Sequence, residues 1–425
     1  GTVRTVLEKI MDQLECYDLK PEMAHKEVGG ITNKIDAKGR ITHVMEQLEI
    51  DWRFSDALQA ADNEIIVREL IEDQFRHHGL EVLFKAKPIE GVAGNGEHTH
   101  FGVAVRLKNG RKVNLFVPVD MKKDYLSEVG YGALMGLLKN YEVINPIVTA
   151  TNDAFNRLKP KFEAPVCIVT SLGGTKESPS RNRSVLIGVI RDIASPQAIR
   201  FEMRSPNPYS NTYLVIAASY QAMLDGITKV LEAKMTTEDM EREISKKYGD
   251  DALYLEKFRE YRSEEDVFEC YTEEERNKLY GKAPATVWEN VKGFDLCVNK
   301  HEVLKSGGVF TDELINSFKL STVERWKNEL KGRIIHDNIV LLKTFFKLHS
   351  ESDHATDLDV VTWEKIVYLK TKLMKDSMTK KSIFTKIKTA IMQGDYDTAS
   401  DLQKSMNEKM TEIRALYIEY KNNIF

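Results

Sequence analysis

Residues 200–208 read Arg-Phe-Glu-Met-Arg-Ser-Pro-Asn-Pro. On a strand, side chains alternate faces, so Arg200, Glu202 and Arg204 share one side and Phe201 and Met203 the other. If the charged side is a core, every charge needs a partner. If it faces a cleft, it offers a carboxylate between two anion-binding guanidiniums. Pro206 and Pro208 close the extended run, and Thr212 to Ala233 then reads as a long apolar helix.

Further strands are expected at Leu80–Lys87, His98–Leu107, Val166–Ser171 and Val185–Arg191. Asn109-Gly110 predicts a hairpin turn into 112–117. Val3, Leu7, Ile10 and Leu14 mark an amphipathic helix, followed by a short extended segment through Glu27. Residues 31–48 read as an insertion with its own turn at Ala37-Lys38-Gly39. Ala61–Gly79 and Tyr131–Asn140 read as helices. All eleven prolines lie at or before Pro284, and 285–425 has none. There the apolar stripes Ile335/Ile339/Leu342/Phe346, Trp363/Ile366/Leu369/Leu373 and Leu402/Met406/Met410/Ile413/Leu416 keep helical spacing. The expected fold class is α+β over 1–311, followed by an all-α bundle over 312–425.

Composition narrows the function. Lys plus Arg is 61 and Asp plus Glu is 65, a net charge of -4, so nothing favours nucleic acid or an anionic membrane surface. The longest apolar-looking stretch, Tyr213–Met223, is too short to span a bilayer. Cys16, Cys167, Cys270 and Cys297 form no CxxC, which fits a reducing, cytoplasmic compartment rather than a disulfide scaffold. Gly1 in place of Met, with a helical pattern starting at once, leads to the expectation that the chain is cut from something longer.

Three groups can carry chemistry. Glu22 and Glu27 precede Gly29-Gly30, with Glu49 further on. His98 and His100 point to one face of a strand behind Gly94-Asn95-Gly96. The third is Arg200-x-Glu202-x-Arg204. Carboxylates with an imidazole suit Mg²⁺ or Mn²⁺, and guanidiniums suit phosphates and carboxylates. Together they point to metal-dependent phosphoryl transfer onto a carboxylate. His-x-His is also open to reading as a zinc pair or as structural histidines, and neither phosphate-loop fingerprint occurs.

In order and spacing these segments resemble the glutamine synthetase catalytic domain. The blocks are Lys87-Pro88 with Gly94–His100; Asn156-Arg157-Leu158 with Phe162-Glu163-Ala164-Pro165; Arg181-Asn182-Arg183-Ser184; Arg200–Pro208 with Leu224-Asp225-Gly226-Ile227; and Gly307–Asp312. The resemblance implies a curved, mostly antiparallel sheet flanked by helices. It also implies ATP-dependent ligation of ammonia to the glutamate γ-carboxylate through γ-glutamyl phosphate, with two divalent ions and ring-shaped homo-oligomers. The helical tail is similar in length to that of the large bacterial forms.

Residue by residue, the resemblance implies that Glu27 and Glu49 hold the ion nearer the substrate, with Glu22 a further metal-site glutamate. His98 and Glu202 would hold the ATP-side ion, and His100 would lie near the ATP phosphates. Gly94 would line the glutamate loop. Arg157 and Arg204 would hold glutamate carboxylates or the transferred phosphoryl group, and Arg183 an ATP phosphate. Phe54 and Arg200 would sandwich adenine, and Glu163 would shield the intermediate and take the ammonium proton. This chain departs from the pattern at Ala93, where the family has Asn, and at Gly188, where a second phosphate-binding arginine is expected. Arg191 is a possible replacement. The family's N-terminal β-grasp domain and Glu-x-Glu strand should precede Glu22 and are not in this span, so the expected state of the span is an inactive fragment. A γ-glutamyl ligase for a polyamine or other amine, or a non-catalytic scaffold or sensor, is the alternative. Tyr280 lies near a position that some bacterial members nucleotidylate, but its flanks match poorly and it reads as a surface tyrosine.

Overall fold

The computed structural model describes residues 1–27, 32–35, 41–89, 92–158, 166–350 and 355–424. It divides into two compact units, Gly1–Ala283 with Gly293–Thr311, and Pro284–Lys292 with Asp312–Phe425.

The first unit opens with helix α1 (Thr2–Cys16) and strands β1 (Pro21–Lys26), β2 (Thr32–Ile35), β3 (Ile41–Met45) and β4 (Leu48–Trp52), then α2 (Ala57–His77). β1 and β4 form an antiparallel two-stranded ribbon, and β2 and β3 another. Alternation decides how the first ribbon sits. Leu48, Ile50 and Trp52 pack onto the core of Val6, Ile10, Leu14, Val67 and Phe75 from α1 and α2. Each such apolar side chain contributes about 1.5–3 kcal/mol on full burial. Glu49, between two of them in sequence, is thereby turned to the opposite face.

Strands β5 (Thr99–Phe101), β6 (Ala104–Arg106) and β7 (Lys112–Asn114) follow, then helices α3 (Glu128–Lys139), α4 (Tyr141–Val148) and α5 (Asn152–Arg157). After β8 (Thr170–Ser171), β9 (Ile187–Ile190) and β10 (Arg200–Met203) comes α6 (Thr212–Glu232). The sheet that carries the charged strand has the order β5-β10-β9-β8. It is antiparallel except for the β8–β9 pair. The fold is α+β, with its strands distributed over four small sheets among the described residues.

Several expected strands are shorter or missing. Residues 80–87 form none, although exposure alternates over 80–84. Their carbonyls are taken by the glycine loop instead: Asn95 N donates to Ala86 O at 2.9 Å and Asn95 Nδ2 to Lys85 O at 2.7 Å. The run 98–107 is split into β5 and β6. The Asn109-Gly110 hairpin forms as expected, with Gly110 at φ 83°. The turn at 37–39 lies outside the described residues.

Helix α6 is longer than its apolar stretch. At 21 residues and mean hydropathy 1.2 it is long and apolar enough to cross a membrane by length and composition alone. In this unit its composition serves close packing on α3. A Cβ on Gly226 would lie 2.1 Å from Gly132 O, and one on Gly136 2.0 Å from Ala222 O, so only glycine lets the two backbones approach. Tyr280 is not a surface residue: it is fully buried beside Cys167, Val169, Val185 and Val267.

In the second unit, residues 312–328, 335–343, 357–374, 383–393 and 396–424 are helical. The segment Pro284–Lys292 packs here: Trp288 stacks on Trp326, and its indole N–H donates to Asp397 at 2.8 Å. The stripe Ile335/Ile339/Leu342 does not extend to Phe346, which is 60% exposed. The helix ends at Lys343, the phase is lost, and Phe345 is buried instead, stacked on Tyr417.

Candidate active site

Two clusters of titratable side chains lie in the first unit. The first sits on β10. Phe201 and Met203 are fully buried, with Phe201 stacked on Phe116, so Arg200, Glu202 and Arg204 occupy the other face. That face is not a sealed core: the Glu202 side chain is 13% exposed and that of His98 33%. In the β5–β10 pairing Glu202 stands opposite His100. Glu202 Oε1 lies 3.1 Å from His98 Nδ1 and 3.9 Å from His100 Nε2. Arg204 Nη1 donates to both carboxylate oxygens, at 2.9 and 3.0 Å. Arg200 Nε donates to His100 Nδ1 at 2.9 Å, which leaves the His100 proton on Nε2, toward Glu202.

The electrostatics follow from this crowding. Burial alone would raise the Glu202 pKa, but the neighbouring imidazoles of His100 and His98 and the charge of Arg204 outweigh it and hold the carboxyl far below its usual range. Burial, with Arg204 and Arg157 nearby, lowers the pKa of His98 against the upward pull of Glu202. The imidazole is thus neutral near neutral pH. With Nδ1–H donating to Glu202, Nε2 keeps the lone pair that a cation needs.

The glycine loop is pinned against this cluster. Glu97 N donates to Pro206 O at 2.9 Å, and Gln47 Nε2, next to β4, donates to Gly94 O at 2.9 Å. A Cβ on Gly94 would meet Ala86 O at 2.3 Å and Arg157 Cγ at 2.9 Å. Arg157 is buried and donates to the carbonyls of Arg204, Ser205 and Pro206 at 3.1–3.3 Å, so it acts as a strut beneath the loop. Glu97 is packed between Thr212 Oγ1, at 3.0 Å, and Arg68, at 3.8 Å. Burial and the nearby Glu64 push its pKa up to about 8, against the opposing pull of Thr212 and Arg68.

The second cluster sits on the β1–β4 ribbon. His25 and Glu49 are cross-strand partners, and Glu27 follows His25 by two. His25 Nε2 is 2.7 Å from Glu27 Oε1. One donor atom each from His25, Glu27 and Glu49 lies within 4.8 Å of the others. Burial and the hydrogen bond and charge of Glu27 raise the pKa of Glu49. Two carboxylates and one imidazole with spare lone pairs form a donor set that fits a divalent cation. The sequence reading overlooks His25. Its available signal was the period-two spacing His25-x-Glu27.

The other expected site residues are scattered. Glu22 is not drawn into the ribbon cluster: it pairs with Arg53 at 3.2 Å, on a surface with Glu15, Asp18 and Lys20. Phe54 is 92% exposed, and no cation–π contact joins it to Arg200 among the described residues. Asn182 braces its turn, accepting from Ser184 N at 2.9 Å and donating to Glu265 O at 2.7 Å, and Arg183 is exposed beside it. Arg191 does not stand in for the arginine expected at Gly188. It is buried and donates to Met121 O at 2.9 Å, tying loops together. Gly188 is the strand partner of Glu202. Glu163 lies outside the described residues.

The family model for the glutamine synthetase catalytic domain matches residues 2–252. The chain belongs to this family. It is 37% identical over 186 residues to a glutamine synthetase of Clostridium saccharobutylicum, covering 44% of this chain and 38% of that one. Against the glutamine synthetase of Pyrococcus horikoshii identity is 30% over 295 residues, 68% of this chain and 57% of that one. The chain therefore spans well under two thirds of the length of either relative. A cryo-EM structure of Plasmodium falciparum glutamine synthetase shares the fold, with a TM-score of 0.52 at 20% identity, covering 75% of this chain and 58% of that one.

Proposed function

We propose that this chain carries the part of a glutamate–ammonia ligase that binds ATP, glutamate and two divalent ions, Mg²⁺ or Mn²⁺. The observation that carries the reading is the Glu202 cluster, a carboxylate with two imidazoles and a guanidinium on the partly open face of β10. In this reading His98 and Glu202 hold the nucleotide-side ion, and Glu27 and Glu49 the other. Bound divalent ions supply charge neutralisation that lets anionic phosphate and carboxylate approach in line.

The chain's own groups account for the rest. Arg204, held by Glu202, and Arg183, on the braced turn, offer guanidiniums to phosphate or carboxylate oxygens. Arg157 holds the Gly94 loop that would border glutamate. The exposed Phe54 ring offers a stacking face to a base. Glutamate's γ-carboxylate oxygen attacks the terminal phosphorus of ATP and ADP leaves. Ammonia then displaces phosphate from γ-glutamyl phosphate, with Glu163 accepting the proton.

Titration calorimetry with ATP tests the reading. Binding is expected with Mn²⁺ or Mg²⁺ present, absent with chelator, and weakened roughly tenfold or more by Glu202→Gln. ATP binding that is indifferent to metal and to Glu202 would overturn it.

A further inference from the structure

We propose that His25 is a third protein ligand of the cation held by Glu27 and Glu49, and that its nitrogen turns this position toward Mn²⁺ and away from Mg²⁺. The inference rests on the reading of the ribbon as a cation site. Its basis is the ribbon itself. His25 is paired across the strands with Glu49, and Glu27 lies two residues along from His25, so all three side chains leave one face. The opposite face is locked by Leu48, Ile50 and Trp52 against α1 and α2, so the donors stand on a rigid base. Metal–donor bonds of about 2.1 Å put adjacent donors about 3 Å apart and opposed ones about 4.2 Å. The separations here, 2.7 Å between His25 and Glu27 and up to 4.8 Å across the group, bracket that range. Small side-chain rotations suffice to close the three round one ion.

Charge points the same way. Two carboxylates face one imidazole, and His25 Nδ1 is buried with no hydrogen-bond partner among the described residues. Among the described residues the histidine's hydrogen bond is the one between Nε2 and Glu27. All-oxygen sets suit Mg²⁺, whereas an imidazole favours the transition metals.

The test is Mn²⁺ titration of the full chain followed by EPR, with Mg²⁺ as competitor, on the unaltered protein, His25→Gln and Glu27→Gln. Circular dichroism checks that each is folded. His25→Gln is expected to weaken Mn²⁺ roughly tenfold or more while Mg²⁺ binding hardly changes, so the Mn²⁺/Mg²⁺ preference falls. Pulsed EPR of bound Mn²⁺ is expected to show a nitrogen coupling that survives His98→Gln with His100→Gln and disappears when His25→Gln is added. An unchanged preference, or no His25-dependent nitrogen coupling, overturns the proposal. If Glu27→Gln abolishes Mn²⁺ binding while His25→Gln does nothing, only the histidine assignment fails. If neither matters, the ribbon is not a cation site and the reading beneath the proposal fails with it.

Discussion

Around Glu202, two imidazoles and a guanidinium crowd one carboxylate, whereas around Glu49 two carboxylates share one imidazole. Both clusters join carboxylate to imidazole, and the charge balance is opposite. The strand cluster neutralises itself, and an arriving cation must compete with Arg204 for the Glu202 oxygens. The ribbon cluster is short of positive charge, and burial together with the neighbouring Glu27 raises the pKa of Glu49. A motif of acidic and basic residues thus says little about which site wants an ion until the neighbours are counted.

The largest expected effect comes from removing the central carboxylate. Glu202→Ala leaves Arg204 and two histidines without their counter-charge, and should cost about 3 kcal/mol in urea unfolding. A loss under about 1 kcal/mol would show that the cluster is not self-neutralising. Next is the loop between the clusters. Gly94→Ala drives a Cβ into Ala86 O and Arg157 and should cost about 2 kcal/mol, read as a shift in the unfolding midpoint without change of slope.

Glu97 affects the pH profile more than the level. Its folded pKa, about 8, stands above the ordinary glutamate value of about 4.3. The folded chain thus binds a proton that the unfolded chain has lost, so this contribution to stability falls as pH rises across that window. Glu97→Gln should flatten the decline between pH 5 and 8, and a profile parallel to that of the unaltered protein would count against it. Smallest is Glu49→Gln. It relieves the carboxylate pair in metal-free protein above the ordinary glutamate pKa, where the raised folded value makes ionisation costly. Because Glu49 is partly exposed, the gain is about 0.5 kcal/mol. It should vanish when the ribbon's Glu49 is protonated at low pH. A loss of stability at neutral pH would mean that His25 already balances the pair. Glu202 has the opposite sign: its depressed pKa gives a contribution that is complete above the ordinary glutamate pKa and is lost progressively as pH falls from there toward the depressed folded value.

The order of blocks from Gly94 to Pro208 was legible in the sequence, because strand alternation alone places Arg200, Glu202 and Arg204 on one side and Phe201 and Met203 on the other. So were the helix stripes of the second unit, since 3.6-residue periodicity needs no partner to be seen. Tertiary structure decided what those side chains meet. Residues 80–87 alternate like a strand, yet Asn95 takes their carbonyls. Arg191 looks like a spare phosphate ligand, yet loop carbonyls claim it. Glu22 looks like a partner for Glu27, yet it pairs with Arg53 at the surface instead. His25 enters the cluster only because strand register sets it opposite Glu49, 24 residues away in sequence. Local pattern dictates the face on which a side chain emerges. Which charge waits there depends on register and on chain folded in from elsewhere, and those are settled only when the whole unit packs.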